Sequence, residues 1–312
     1  MTSATAARWS LAAAIATMAV WGANFAVTKH VLEHIGVGPF LFFRYLGMPL
    51  IAFALLAWIY RRRLGFALPR RGDWARFAGL GLLAHTGHVG IVIWGIHLST
   101  AFSSALVLTS GPVFTLLILA ALGAERLRAS QVAGTLAALG GILVFLSDKL
   151  AAGLARAGLG DLALLFAAAL FSLYTVLARP LVERYGPLLL LCWTLAFGAP
   201  PLLLASIPSV LALEYGAVPW SAWAWLAWAV FVSSFLGWLA WAWVNSVRGL
   251  ARTAPLQYLM PPIAGIVAWF TLGESFSALK IAGAALTMAG VAWAQFGGGG
   301  PPPREAAQPD SG

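Results

Sequence analysis

The sequence predicts an all-α integral-membrane protein: ten transmembrane helices arranged as two inverted five-helix repeats around a central cavity. Three observations carry that expectation. The 312 residues are 61% hydrophobic and only 9% charged, against about 25% charged for a soluble domain, so lipid must cover most of the surface. The apolar residues come in long unbroken runs, each close to the ~20 residues a helix needs to cross a bilayer; the short alternating segments of a transmembrane barrel are absent. Finally, the second half of the chain repeats the first at an offset of about 150 residues.

The ten spans are expected at 8–29, 38–60, 74–95, 99–122, 130–147, 160–179, 187–207, 220–246, 250–272 and 277–296. The first opens behind Arg8 and could be mistaken for a cleavable leader. It continues through Trp21 and Asn24, which belong to the internal repeat, so it is read as a retained helix. The second is followed by a basic connection with Arg61, Arg62, Arg63, Arg70, Arg71 and Arg76. Short basic loops stay cytoplasmic. With that loop inside, 14 of the 19 Lys and Arg fall on the cytoplasmic side, and both termini are placed there too. The net charge of +9 is therefore an orientation signal and not a nucleic-acid footprint. The third span carries His85 and His88, the eighth is crowded with tryptophan, and the ninth holds the pair Pro261–Pro262. The segment 297–312, rich in Gly and Pro, is expected to be a disordered cytoplasmic tail. Cys192 stands alone, with no second cysteine for a disulfide or a zinc site.

The repeat is specific. Pro112, Glu125 and Gly134 of the first half match Pro261, Glu274 and Gly283 of the second, and 21–36 aligns with 171–186. The repeats are assigned to 8–147 and 160–296. Five helices per repeat is an odd number, so the second copy starts on the opposite side and is inverted. Secondary transporters are often built this way, with the site near the midplane between halves that rock.

Polar side chains inside the spans are the candidate site. All ten acidic residues fall at helix ends or in loops, which disfavours carboxylate-based ion coupling and acidic Mg²⁺ sites. His85 and His88, three apart, share a helix face and can bind a carboxylate or carry a proton; an interhelical hydrogen bond is the plainer role. Trp21 with Asn24 offers a stacking plane and an amide, and Tyr174 is the repeat equivalent of Asn24. Trp238 lies on a mixed face of the eighth span with Ser234, Trp241 and Asn245, while Trp220, Trp223 and Trp243 near its ends read as interfacial belt residues. Gln257 and Tyr258 precede the prolines. Pro112, Pro261 and Pro262 remove helix hydrogen bonds and are expected hinges. Arg44, about 8 Å inside the second span, is expected to snorkel outward or tie together the extracellular helix ends; attracting an anionic group that enters from outside is the alternative. Glu125 and Glu274 are expected to satisfy free amides at the following helix.

The combination of WGANF at 21–25, LFFRYLG at 41–47, and the Pro112…Glu125 pattern with its echo Pro261…Glu274 resembles the EamA type of the drug/metabolite transporter superfamily. The resemblance covers roughly residues 10–296. It implies ten helices with a central cavity between the halves. Within the family, the sequence looks closest to YddG-type bacterial exporters of aromatic amino acids.

Taken together, these readings give a multi-pass transporter of the bacterial inner membrane, not an enzyme. It is expected to export amino acids, aromatic ones in particular, by alternating access, as a uniporter or exchanger. Substrate-lining residues are expected to be Trp21, Asn24, His85, His88, Tyr174, Trp238, Gln257 and Tyr258, between helices one, three, four, six, eight and nine. No cofactor, metal or nucleic acid is called for. The expected partners are a small-molecule substrate and membrane lipid, and a monomer is compatible with the reading. The rivals are an exporter of another metabolite or drug, including a sugar phosphate or nucleotide sugar, which should show clustered Lys/Arg in mid-membrane; an integral-membrane lipid enzyme; and a channel.

Overall fold

In the computed structural model, residues 3–60, 68–122, 128–151, 156–248 and 253–296 are described. Glu125 and the segment 297–312 lie outside them.

Ten helical spans are present among the described residues: α1 Ser3–Ile35, α2 Val37–Tyr60, α3 Arg71–Leu98 and α4 Ala101–Ala121, α5 Ala129–Ala151, α6 (156–185) and α7 (187–211), α8 Trp220–Asn245 and α9 Leu256–Leu272, and α10 Ala278–Phe296. Seven helical stretches are long and apolar enough to cross a membrane; the longest contains both α6 and α7, and α9 and α10 are shorter apolar helices. The chain is a multi-pass, all-helical membrane protein. Trp220, Phe270, Leu50 and Trp9 are among the side chains most exposed on its outside, the composition expected where lipid is the solvent.

The first correction concerns the connections. α1 runs to Ile35, beyond the expected end, so Lys29 sits within the helix. α1 passes to α2 through Gly36 alone, and α6 passes to α7 through Gly186 alone, at φ of 75° and 76°. That left-handed conformation is where glycine avoids the Cβ penalty. The two glycines are aligned in the repeat, so both halves turn the same corner with the same residue.

A second correction concerns the prolines. α4 is helical over Ala101–Leu108 and again from Gly111. A tight 3₁₀ stretch, Ala254–Leu259, leads into α9, which becomes α-helical from Met260. Pro112 and Pro261 each occupy the second residue of the new helical segment. They do not kink the middle of a continuous helix; they start a second helix, where a missing N–H costs nothing.

The halves pair reciprocally. α1 packs on α9 and α6 packs on α4; α2 packs on α8 and α7 on α3. Each pair becomes the other when first and second halves are exchanged. α5 and α10 pack on each other, through Gly134 and Gly141 on one and Gly283 and Gly290 on the other. A Cβ added to Gly134 would meet the Gly290 carbonyl at 2.6 Å, and one on Gly283 the Gly141 carbonyl at 2.9 Å. Small residues let membrane helices approach this closely. As numbering rises along α5 it falls along α10, so these repeat-equivalent helices run antiparallel, as inverted copies must.

α3 and α8 each contain a π-helical stretch, Leu82–Val89 and Ala229–Leu236. They lie at corresponding places in the two halves. Such turns frequently occur at functional sites.

Candidate functional site

A central cavity of about 130 Å³ lies among α1, α2, α3, α4, α6, α8 and α9. α1 supplies Trp21, Asn24, Phe25 and Thr28, spaced by three or four so that one face meets the space. α3 supplies His88 and a run of aliphatics, α6 supplies Phe171, and α8 supplies Ser233, Ser234 and Trp238. Gln257 and Met260 come from the start of α9, and Arg44 from α2.

Each polar group is held differently. The Trp21 Nε1–H donates to the Ser233 carbonyl at 2.9 Å, within the π stretch that has shifted the backbone ladder of α8. The Trp21 ring also lies 5.7 Å from Trp241. Asn24 Nδ2 donates to Thr28 Oγ1 at 3.1 Å, while its buried Oδ1 has no hydrogen-bond partner. His88 Nδ1 donates to the Ala167 carbonyl at 2.9 Å, and its ring lies 4.9 Å from Phe171. That bond to a carbonyl requires the proton on Nδ1. Arg44 is 7% exposed and its Nε has no hydrogen-bond partner.

Five of the eight expected residues therefore line one space: Trp21, Asn24, His88, Trp238 and Gln257. His85 and Tyr174 stand behind it. The His85 ring lies 5.3 Å from Trp238; its Nε2 is hydrogen-bonded with Thr194 Oγ1 at 3.2 Å, and the Tyr45 hydroxyl, which donates to the His85 carbonyl at 3.3 Å, lies 3.4 Å from its Nδ1. Thr194 passes its own proton to the Leu190 carbonyl at 2.8 Å, so His85 joins α2, α3 and α7 in one hydrogen-bonded chain. The Tyr174 ring lies 6.0 Å from Trp238. Tyr258 packs with Val113, Ala138 and Val291, towards α4, α5 and α10.

Arg44 departs from expectation: it does not snorkel but lines the cavity. Its side chain turns inward because the face of α2 that bears it packs against the protein, as the complete burial of its neighbours Phe40 and Met48 shows. The only sequence signal was a guanidinium among apolar residues. Trp223 packs on Phe43 and stacks on Tyr215.

Residues 8–147 and, separately, 158–295 match the EamA-like transporter family. The chain belongs to that family. Among curated EamA relatives, a probable terminal-alkyne amino-acid exporter of Streptantibioticus cattleyicolor is 28% identical over 285 residues, covering 91% of each chain. A probable amino-acid metabolite efflux pump of Salmonella typhimurium is 27% identical, covering 91% of this chain and 94% of its own. A solved crystal structure superimposes with a TM-score of 0.61 at 21% identity, covering 92% of this chain and 97% of that one; this likeness shows the shared fold.

Away from the cavity, several charges near helix ends are hydrogen-bonded. Asp161, wholly buried, accepts from Ser99 Oγ and, at 2.6 Å, from Ser103 Oγ. Asp73 accepts from Arg184 at 2.8 Å and Tyr185 at 2.7 Å, tying α3 to α6. Glu274 accepts from the amides of Ala101 and Phe102 at 2.6 and 3.3 Å. Glu274 therefore caps α4, across the repeat, and not the helix that follows it in sequence. Lys29 donates to the Ile96 and His97 carbonyls at the end of α3.

Proposed function

We propose that this chain is a secondary transporter, not an enzyme, and exports amino acids, aromatic ones in particular, across the bacterial inner membrane by alternating access, as a uniporter or exchanger. The observation that carries this reading is the composition of the central cavity. Trp21, Phe25, Phe171 and Trp238 provide ring surfaces beside neutral hydrogen-bonding groups of Asn24, His88, Ser234 and Gln257. Rings of a substrate can stack on the former, in offset or edge-to-face contacts, while its polar head is held by the latter. His85, Tyr174 and Tyr258 would support the site from behind. The relatives named as amino-acid exporter and efflux pump support the same substrate class.

The basic connection after α2 favours cytoplasmic termini. In that orientation, the repeats 8–147 and 160–296 would rock about the cavity, with the helix breaks at Pro112 and at Pro261–Pro262 as hinges. A phosphorylated substrate would call for clustered cations; Arg44 is the one Lys or Arg lining the cavity.

The test is uptake by purified protein in liposomes of labelled tryptophan, phenylalanine, threonine and a nucleotide sugar. Saturable uptake of the aromatic amino acids, stimulated by unlabelled substrate on the far side, is expected. Uptake of no amino acid above protein-free vesicles sinks the reading, and linear non-saturable flux makes the chain a channel.

A further inference from the structure

We propose that Arg44 is the docking residue for the substrate's carboxylate and that Asn24 Oδ1 receives its ammonium group, so that a free carboxylate and a free amine are both required of what this cavity carries. This assignment rests on the amino-acid reading above and names the atoms that would carry it out.

Two residues that line the same space carry unmet hydrogen-bonding capacity of opposite kinds. Arg44 Nε is a donor with no acceptor, and Asn24 Oδ1 is an acceptor with no donor; both atoms are buried, and both residues line the central cavity. Buried polar atoms without partners are rare, and each one asks for a reason. Here the two orphans have opposite polarity. A carboxylate accepts from a guanidinium, whose planar fork matches its geometry, and an ammonium donates to an amide oxygen. An α-amino acid brings both groups on one carbon.

The charge balance points the same way. No Asp or Glu lines the cavity, so Arg44 has no anion from the lining. A buried cation left without compensation costs several kcal/mol. An arriving carboxylate supplies the missing charge. The ammonium, in turn, meets Asn24 and the faces of Trp21 and Trp238, which can hold a cation by its attraction to the ring. Elsewhere in the molecule, buried charges such as Asp161 and Asp73 are already hydrogen-bonded. Arg44 is the charged residue that lines the cavity; its side chain bonds to Tyr45, and its Nε has no partner.

The assignment is tested by equilibrium binding to the purified full chain in detergent with four ligands that keep the phenyl group: phenylalanine, phenylalaninamide, phenethylamine and phenylpropionate. A lost charge-assisted hydrogen bond is worth ~1.5–3 kcal/mol, or about 10- to 100-fold in affinity. The amide and the amine, which lack a carboxylate, should bind weaker than phenylalanine by that factor. R44Q should bring phenylalanine down to the level of its amide and leave the amide unchanged. N24L should bring phenylalanine down to the level of phenylpropionate and leave phenylpropionate unchanged. Equal binding of phenylalanine and its amide by the native chain overturns the assignment while the amino-acid reading stands, and needs no variant that must fold. A preference for the carboxylate that survives in R44Q, or survives in a second variant, R44L, overturns it as well. If the native chain binds none of the four, phenylalanine is not a substrate and this assignment falls, whereas the amino-acid reading falls only if liposome uptake of every amino acid fails too.

Discussion

The seam between α5 and α10 and the central cavity are built by opposite rules. At the seam, Gly134, Gly141, Gly283 and Gly290 remove side chains so that backbone meets backbone. At the cavity, Trp21, Asn24, Arg44, Phe171 and Trp238 leave about 130 Å³ open, with two polar atoms unpartnered. Both regions join the two halves of the chain. The seam joins them by close contact of small residues, which gives membrane helices their van der Waals cohesion. The cavity joins them across unmet hydrogen bonds. The contrast separates the part of the interface that holds the halves together from the part that a ligand completes.

The largest effect is expected at the seam. Gly141→Val places a branched side chain where even a Cβ would lie 2.8 Å from the Thr287 Cα. The contact is with backbone, which cannot swing aside, so the cost should reach or exceed the ~1–3 kcal/mol typical of overpacking. Loss of monodisperse protein on size exclusion, and a large fall in detergent melting temperature, are the expected results. A variant that melts like the native chain would show that the α5–α10 contact is not structural, and the contrast with the cavity would collapse.

The cavity should respond in the reverse manner. Gln257→Leu keeps the side-chain volume roughly constant and removes the amide that would bond to substrate. A neutral hydrogen bond contributes ~0.5–1.5 kcal/mol, so KM for amino-acid uptake should rise up to about tenfold, with melting unchanged. Uptake by liposomes and thermal unfolding, measured on the same preparation, check both halves of the statement. Unchanged KM would remove Gln257 from the substrate-binding set.

How much of this was legible in the sequence depends on distance along the chain. Ten spans could be read because each is a continuous apolar run, and the inversion because the repeat contains an odd number of helices. Orientation around a helix was less legible. His85 and His88 are three apart, but the π-helical stretch Leu82–Val89 winds them wider than an α-helix would, and only His88 reaches the cavity. Gln257 and Tyr258 are adjacent, yet the 3₁₀ turn that carries them sends one to the cavity and the other towards α4, α5 and α10. Arg44 could be placed by depth but not by direction. Glu274 was legible as a capping carboxylate but not as the cap of α4, because that contact spans 173 residues.

The prolines test the cavity's outer framework with a smaller effect. Pro261→Ala combined with Pro262→Ala restores two backbone donors in the first turn of the α-helical part of α9, where the amides need no intrahelical partner. The fold should therefore survive with little change in melting. If the break between Leu259 and Met260 is a hinge, the maximal uptake rate should fall a few-fold while equilibrium binding stays the same, since the moving step and not the site is altered. Unchanged rate with unchanged binding leaves the break as a static feature of packing.

The smallest effect is expected at Glu274. Its carboxylate oxygens accept from Ala101 and Phe102 at 2.6 and 3.3 Å, and Thr100 accepts from Ser103 at the same helix start at 3.2 Å. The N-terminus of α4 thus has two caps, one local and one from the opposite half. Glu274→Gln keeps an oxygen acceptor and removes the negative charge, so it forfeits only the interaction with the positive end of the helix, about 0.3–1 kcal/mol. Melting should fall slightly and substrate affinity should not move, because the cap lies outside the cavity lining. Glu274→Ala removes the acceptor as well and should cost about 1 kcal/mol in all. The pair of variants therefore separates charge from hydrogen bonding. A change in substrate affinity in Glu274→Gln would mean that the polar contacts at the helix ends communicate with the cavity, and the division between what holds the halves together and what a ligand completes would have to be redrawn at α4.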